Sequence, residues 1–158
     1  MKVLAIDPGY GRIGIAVLER TKSRAEELLY SNCLETSLHD PFPDRLRVIG
    51  EEMARILALY TPDSLAIETL LFNTNQKTAL LVSEARGVII YEARRCGLSV
   101  SEYTPLQVKI ALTGYGRGTK EQLAAMVKRL VVIDKEIRRD DEYDAIAIGL
   151  THLATRPR

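Results

Sequence analysis

The spacing of apolar residues changes along the chain, and this change limits the possible folds more than any other feature. Near the N-terminus the apolar residues form short, strand-like runs, and the turn signal Asp7-Pro8-Gly9 separates the first two. From Leu46 to Tyr60 they recur at three- and four-residue spacing, as an amphipathic helix requires. A chain that begins with strands and continues with helices is expected to fold as an α/β domain.

The same patterns along the whole chain predict five strands and five helices in the order βββαβαβααα. The predicted strands are Lys2 to Ile6, Arg12 to Glu19, Glu27 to Leu34, Ser64 to Glu68 and Leu98 to Tyr103. The predicted helices are Leu46 to Tyr60, Thr74 to Cys96, Pro105 to Leu112, Thr119 to Leu130 and Asp141 to Thr155. Three antiparallel strands followed by two parallel ones form a five-stranded mixed sheet flanked by helices, which is the arrangement of the ribonuclease H-like fold.

The length and composition are those of one domain. The chain has 158 residues, 46% of them hydrophobic, which is enough for one packed core, so we expect a single domain over residues 1–158. The apolar run from Met1 to Ile6 is too short for a signal peptide, and charged residues interrupt every later apolar stretch below membrane-spanning length. A cytoplasmic protein without a membrane segment is expected.

The cysteines and histidines show no metal-binding or disulfide pattern. Cys33 and Cys96 lack CxxC spacing and are expected to be small, half-buried residues in a reducing compartment. His39 and His152 match no ligand spacing, so neither is assigned a role. A zinc site and a disulfide scaffold are therefore not expected.

The predicted helix from Thr74 to Cys96 is apolar around most of its circumference. Its apolar residues include Leu80, Leu81, Val82, Ala85, Val88, Ile89 and Ile90. A helix of this kind must be buried on two sides. One side can face the sheet and the other a second subunit, which predicts a homodimer; the alternative is a central helix within a monomer.

The net charge of +1 hides an uneven distribution of charge. Between Lys109 and Arg139 eight basic residues stand against three acidic ones, so this stretch carries +5 and the rest of the chain −4. A phosphate-binding surface beside an acidic centre would produce this asymmetry, and so would solvated helix faces.

Four carboxylates interrupt apolar surroundings. Asp7 and Glu68 follow the first and fourth predicted strands, and Asp141 and Asp144 open the last helix. A spacing of three residues places Asp141 and Asp144 on one helix face, so their oxygens are expected to converge. Each acid alone has an ordinary explanation, as a turn former, a solvated strand end or a helix N-terminal charge.

Taken together, the four acids predict a metal centre. Burying like charges is costly unless cations neutralise them, and carboxylate oxygens suit Mg²⁺ or Mn²⁺. Two such ions, about 4 Å apart, activate a water and stabilise the leaving oxygen in phosphodiester hydrolysis. The predicted activity is that of a metal-dependent phosphodiester hydrolase.

Several segments, in this order, carry a family resemblance over nearly the whole chain. They are Ile6-Asp7-Pro8-Gly9, Ala66-Ile67-Glu68, Ala85-Arg86-Gly87, Tyr103-Thr104-Pro105-Leu106-Gln107-Val108-Lys109, the sequence ALTGYG, and DEYDAIAIGLTH from Asp141. IDPG alone occurs in unrelated proteins, but the combination is specific. The chain resembles the RuvC family of crossover-junction endodeoxyribonucleases.

The resemblance implies residue roles, cofactors and partners. It makes Asp7, Glu68, Asp141 and Asp144 both catalytic residues and ligands of two Mg²⁺ ions, for which Mn²⁺ can substitute. It implies a homodimer that resolves four-way DNA junctions in recombination and repair, by symmetric nicks in two strands of like polarity that leave 5′-phosphate ends. It also suggests the RuvA–RuvB branch-migration complex as a partner.

Two lysines are implied to lie near the cut strand. Lys109 follows Thr104-Pro105 on a short helix, and Lys120 follows a glycine-rich loop at residues 114–118, so both can approach phosphates. Solvated surface lysines are the alternative. The loop is not a nucleotide-binding P-loop, because Thr119 stands where the GKS/T motif needs glycine.

Further DNA contacts are expected on both sides of these lysines. The family places an aromatic wedge three residues after the glutamate, where this chain has Leu71, with Phe72 one position later. Either Phe72 stacks on an unpaired base or Leu71 acts as an apolar wedge, unless Phe72 is an ordinary core residue. Tyr115 and Arg117 are also expected to contact DNA.

Three other functions share part of this pattern. A YqgF-like ribonuclease H-fold nuclease acting on ribosomal RNA precursors shares a segment like Asp7 to Val17 but lacks the QVK and DEYDAIAIGLTH segments. A scaffold that binds junctions without cutting them would not need all four acids. A sugar-kinase-like ATPase requires two such domains and a longer chain.

Overall fold

Three strands at the start of the chain form an antiparallel ladder. In the computed structural model, residues 1–21, 25–70 and 76–156 are described, except for the side chains of 76 and 77. The strands are β1 (Lys2–Asp7), β2 (Arg12–Arg20) and β3 (Glu26–Glu35). β1 pairs with β2 so that Asp7 lies opposite Gly14, and β2 pairs in turn with β3.

Two more strands extend the sheet on the other side of β1. β4 (Ser64–Glu68) pairs parallel with β1, and β5 (Ser99–Tyr103) pairs parallel with β4. The sheet order is β3-β2-β1-β4-β5. The predicted ribonuclease H-like arrangement of three antiparallel and two parallel strands is confirmed, and the carboxyl ends of β1, β4 and β5 share one edge of the sheet.

Five helices are present in the described residues, in the predicted order. They are α1 (Phe42–Tyr60), α2 (Gln76–Arg95), α3 (Pro105–Thr113), α4 (Lys120–Leu130) and α5 (Asp140–Thr155). α1 begins four residues earlier than predicted because Pro43 occupies its first turn. Backbone N–H groups in the first turn of a helix have no partner within the helix, so a proline there loses no hydrogen bond. Thr104 and Thr119 each form a capping box, which fixes the starts of α3 and α4.

The two faces of the sheet carry separate apolar cores. Alternate β1 residues point to opposite faces. Val3 and Ala5 pack in the core that contains α5, α3 and α4, and Leu4 and Ile6 pack in the core that contains α1 and α2. Because helices cover both faces, the central strands are buried along most of their length.

Helix α5 lies unusually close to the sheet, and two glycines permit this. A Cβ on Gly14 of β2 would lie 1.9 Å from the carbonyl oxygen of Asp141. A Cβ on Gly149 of α5 would lie 2.3 Å from a side-chain carbon of Leu18 and 3.1 Å from the Cβ of Ala5. The residues of α5 from Ala145 to Leu153 are all buried. Gly14 therefore lets the first turn of α5 rest on the backbone of β2.

The cysteines agree with the prediction only in part. Cys33 is half-buried, and burial, with smaller effects of Asp141 and Glu35, raises its pKa to about 11. Cys96 is exposed, so its predicted half-burial is wrong. It follows α2 in the turn before Gly97, where the chain has left the core. In the described part of the chain, no helix is both long and apolar enough to cross a membrane.

Candidate active site

A cavity opens where the carboxyl ends of β1 and β4 meet the start of α5. It is lined by Asp7, Glu68 and Asp144 together with Lys109 of α3 and Lys120 of α4, and its volume is about 310 Å³. Adjacent parallel strands place Asp7 and Glu68 side by side, because both residues end their strands. Pro105, Val108 and Leu123 form an apolar wall. Three acids and two bases thus face one small space.

The acids in this cavity hold protons more tightly than usual. Burial, together with the smaller effects of the Glu68, Asp144 and Asp141 carboxylates, raises the pKa of Asp7 to about 8. Burial and the charge of Asp144 raise the pKa of Glu68 to about 7. The pKa of Asp144 is also raised, chiefly by burial. A group of carboxylates in this state is stabilised by any cation that replaces the protons.

Lys120 provides part of the balancing charge through a residue that the sequence did not single out. Its Nζ lies 2.5 Å from an oxygen of Asp140 and 3.7 Å from an oxygen of Asp144. The hydrogen bond to Asp140 is the main cause that raises the pKa of Lys120, and the same bond lowers the pKa of Asp140. The acidic run before Tyr143 was the available signal, but only Asp141 of that run lies three residues from Asp144.

Asp141 faces a different space from Asp144. It lines a second cleft, of about 560 Å³, whose walls include Gly9, Tyr10 and Arg12. Its Oδ2 lies 3.5 Å from the Nε of Arg12. The two acids of α5 are thus near enough for the charge of Asp141 to raise the pKa values of Asp7 and Asp144, but they border separate openings. Sequence reasoning missed Arg12.

The donor set fits a hard divalent cation. All the available ligands are carboxylate oxygens, the atoms preferred by Mg²⁺ and Mn²⁺. The Oδ2 of Asp141 is buried and, within the described residues, accepts no hydrogen bond. Also within those residues, no three acidic, histidine or cysteine side chains lie close enough to hold an ion. The carboxylates therefore suit a divalent cation by their chemistry and charge, although they are not arranged as a complete set of ligands.

Contacts outside the cavity fix the elements that carry these acids. Arg86 of α2 donates to the carbonyl oxygen of Glu68 at 3.3 Å and pairs with Glu102 at 2.7 Å. The backbone N–H of Thr69 donates to the carbonyl oxygen of Tyr103 at 2.9 Å. The end of β4 is thus tied to α2 and to β5.

A buried polar network fixes the other end of α5. His152 is fully buried, with Nε2 3.0 Å from the hydroxyl of Ser64 and Nδ1 3.0 Å from the hydroxyl of Tyr103. Burial and the charge of Arg156 lower the pKa of His152 to about 4, so the ring is neutral at pH 7. His152 has no ligand spacing in the sequence, and in the structure it anchors α5 to β4 and β5.

The remaining predicted site residues divide into two groups. Tyr115 and Arg117 are exposed in the loop between α3 and α4, where Thr113 holds the loop through hydrogen bonds to the backbone of Tyr115. Leu71 and Phe72 lie outside the described residues.

The fold and the carboxylate cavity together define a class, the ribonuclease H-like nucleases. Three comparisons then narrow the class. The family model described as crossover junction endodeoxyribonuclease RuvC matches residues 3–152. The crossover junction endodeoxyribonuclease RuvC of Thermosipho melanesiensis is 44% identical over 149 residues, covering 94% of each chain. That of Desulfitobacterium hafniense is 41% identical over 152 residues, covering 96% of this chain and 92% of its relative.

A solved structure agrees. The structure described as T. thermophilus RuvC in complex with Holliday junction substrate has a TM-score of 0.89 and 32% sequence identity, covering 96% of this chain and 92% of that chain. The chain belongs to the RuvC family of crossover junction endodeoxyribonucleases. Enzymes of this family are metal-dependent nucleases.

Proposed function

We propose that this chain resolves four-way DNA junctions in recombination and repair by nicking two strands of like polarity at symmetric positions. The observation that carries the proposal is the cavity in which Asp7, Glu68 and Asp144 face Lys109 and Lys120. Family membership supports the reaction, and the structure of the T. thermophilus relative with a Holliday junction supports the substrate.

The proposed metal ligands are Asp7, Glu68, Asp141 and Asp144, holding two Mg²⁺ ions for which Mn²⁺ can substitute. When bound, the ions supply an activated water and stabilise the leaving oxygen, so that cleavage gives 5′-phosphate and 3′-hydroxyl ends. Asp7 and Glu68 must first lose their protons. Because their pKa values are about 8 and 7, this step favours alkaline conditions.

The lysines of the cavity complete the site for a phosphodiester. Lys109 and Lys120 come from separate helices and line the same cavity as the acids, so a phosphate that enters meets positive charge beside the carboxylates. Val108 and Leu123 form an apolar wall that limits water around the reacting group. Lys120 is held by Asp140, which keeps its ammonium group at the rim of the cavity.

Residues around the cavity are proposed to hold the rest of the junction. Tyr115 and Arg117, exposed beside α4, are placed to contact the DNA backbone or a neighbouring base. Leu71 or Phe72 is proposed as the wedge that unstacks a base, on the strength of their position after Glu68 in the sequence. Chromosomal junctions as substrate imply a cytoplasmic site of action, with the RuvA–RuvB complex as partner.

Symmetric nicking requires two sites, and α2 offers a surface for a second subunit. Its inner face is buried at Ala85, Ile89 and Ala93, whereas Leu80 is 62% and Tyr91 63% exposed. Large apolar side chains on one helix face, opposite its packed face, favour a two-fold dimer through α2. Sedimentation of the full chain at micromolar concentration should give a dimer, and Tyr91→Glu should shift it toward the monomer.

The function is tested by offering one set of strands in different architectures. A mobile four-way junction, a linear duplex of the same sequence and a structured RNA are each incubated with the protein and Mg²⁺, and the nicks are mapped. Paired nicks in two opposite strands of the junction, with the duplex intact, are expected. Cleavage of RNA alone would favour the YqgF-like alternative, and tight junction binding without any cut would favour a scaffold.

A further inference from the structure

Asp141 already has a cation beside it, and this cation belongs to the protein. The Nε of Arg12 approaches the Oδ2 of Asp141 to 3.5 Å, a distance that allows ionic attraction without a good hydrogen bond. That oxygen is otherwise buried and, among the described residues, unpaired. The contact is therefore one that another cation can replace.

Neighbouring cations are held more firmly by other acids. Arg139 lies 2.6 Å from Glu35, and Lys120 lies 2.5 Å from Asp140. Among the ion pairs of the described residues, Arg12 has Asp141 as its one partner, and its side chain is 48% exposed. Among Arg12, Arg139 and Lys120, Arg12 is thus the side chain that is most easily displaced from its acid.

Arg12 also stands at the edge of an open cleft. The cleft of about 560 Å³ that contains Asp141 continues past Gly9, Tyr10 and Thr36. Its floor is firm, because buried Arg45 donates to the carbonyl oxygen of Tyr10 and to the hydroxyl of Thr36 at 3.1 Å. A guanidinium released from Asp141 at this edge would present a planar donor group suited to a phosphate.

We propose that Arg12 is a resident counter-cation of Asp141 that couples metal binding to DNA binding. While the site lacks a divalent ion, the guanidinium neutralises Asp141. An ion at Asp141 displaces the guanidinium, which then binds a backbone phosphate of a DNA strand lying in the cleft. The proposal rests on the proposed function, because it takes Asp141 as a metal ligand and DNA as the substrate.

This exchange predicts effects of opposite sign for one substitution. Arg12→Ala removes the competitor, so the DNA-free protein should bind Mn²⁺ about two- to fivefold more tightly, which is the size of a partly exposed ion pair. The same variant should bind a four-way junction about tenfold more weakly in low salt, with a salt-dependence slope smaller by about one, because one phosphate contact is lost. This loss of junction affinity should occur with Ca²⁺ present. It should be small in EDTA, because in the metal-free protein Arg12 is paired with Asp141 and does not contact DNA.

The experiment compares wild type, Arg12→Ala and Arg139→Ala. Arg139→Ala is a matched control, because it removes an arginine charge close to Arg12 whose ion-pair partner is Glu35 and not Asp141. Free Mn²⁺ is measured by electron paramagnetic resonance without DNA, and junction affinity is measured in Ca²⁺ and in EDTA over a range of salt. The inference requires tighter Mn²⁺ binding and a Ca²⁺-dependent loss of junction affinity in Arg12→Ala only.

Three results would overturn the inference. These are unchanged or weaker Mn²⁺ binding in Arg12→Ala, a junction defect of equal size with and without Ca²⁺, and the same two effects in Arg139→Ala. Cleavage of the junction by wild type in Mg²⁺ is scored separately. If wild type cuts but the Arg12 effects are absent, only the coupling is wrong; if wild type neither binds Mn²⁺ nor cuts, the proposed function is wrong.

Discussion

Replacing Gly14 by alanine should damage catalysis far more than it damages the fold. The added Cβ would lie 1.9 Å from the carbonyl oxygen of Asp141, whereas real Cβ contacts essentially never fall below 3.0 Å. The first turn of α5 must therefore move by about 1.1 Å, which displaces Asp141 and Asp144 relative to Asp7. A displacement of about 1 Å at a reacting centre can cost about a hundredfold in rate. Overpacking of this kind destabilises proteins by about 1–3 kcal/mol.

Gly149→Ala is the matched control. It adds the same methyl group between α5 and the sheet, but its nearest neighbour is the end of the flexible Leu18 side chain and not a backbone oxygen. Both variants should unfold at lower temperature than wild type. In single-turnover cleavage of a four-way junction at saturating Mg²⁺, only Gly14→Ala should be slower by about a hundredfold. A folded Gly14→Ala that cuts within about threefold of wild type, or a Gly149→Ala equally slow, would refute the positioning of α5 by Gly14.

Three further predictions concern charge and the buried network. The raised pKa values of Asp7 and Glu68, about 8 and 7, mean that the folded protein holds protons which the unfolded chain has released, so metal-free stability should fall from pH 6.5 to 8.5. His152 opposes this fall only at the lower end of the range, where the unfolded chain still binds part of a proton at its ordinary pKa of 6.5. Calorimetry in EDTA checks this, and a rise in melting temperature would contradict it. Lys120→Ala should slow cleavage by about tenfold to a hundredfold in single-turnover assays. Its stability should change little, because the ion pair with Asp140 is exposed. Cleavage at the wild-type rate would exclude a role for this ammonium group. Ser64→Ala should lower the free energy of unfolding by about 1–3 kcal/mol, because it leaves the buried Nε2 of His152 unpaired. Urea titration measures this change, and an unchanged midpoint would show that the network adds no stability.

The strands and the acids at their ends could be predicted because both depend on local patterns. Apolar runs bounded by turn residues set β1 and β4, and parallel pairing then brings Asp7 and Glu68 together without further information. Helix spacing also predicted that the oxygens of Asp141 and Asp144 converge, but the two acids border separate openings. Spacing does not report how the helix is rolled against the sheet, which depends on the contact at Gly14.

Other features depend on contacts between residues far apart in the sequence. The pairing of Arg12 with Asp141 joins β2 to α5 across more than a hundred residues, and no local pattern indicates it. The buried His152 looked unremarkable because its partners, Ser64 and Tyr103, come from two other strands. The exposure of Cys96 follows from where α2 ends, which apolar spacing predicts only to within a residue or two.

The central claim, that these carboxylates drive metal-dependent junction cleavage, is tested most directly with Asp7→Asn. This change keeps the shape of the side chain and removes the ionisable acid whose pKa Glu68, Asp144 and Asp141 all raise. Paired nicking of a labelled four-way junction is measured at saturating protein with Mg²⁺ and with EDTA. We predict paired nicks by wild type only with Mg²⁺, and an Asp7→Asn protein that binds the junction but does not cut it. Cleavage by Asp7→Asn at the wild-type rate, or by wild type in EDTA, would contradict the account.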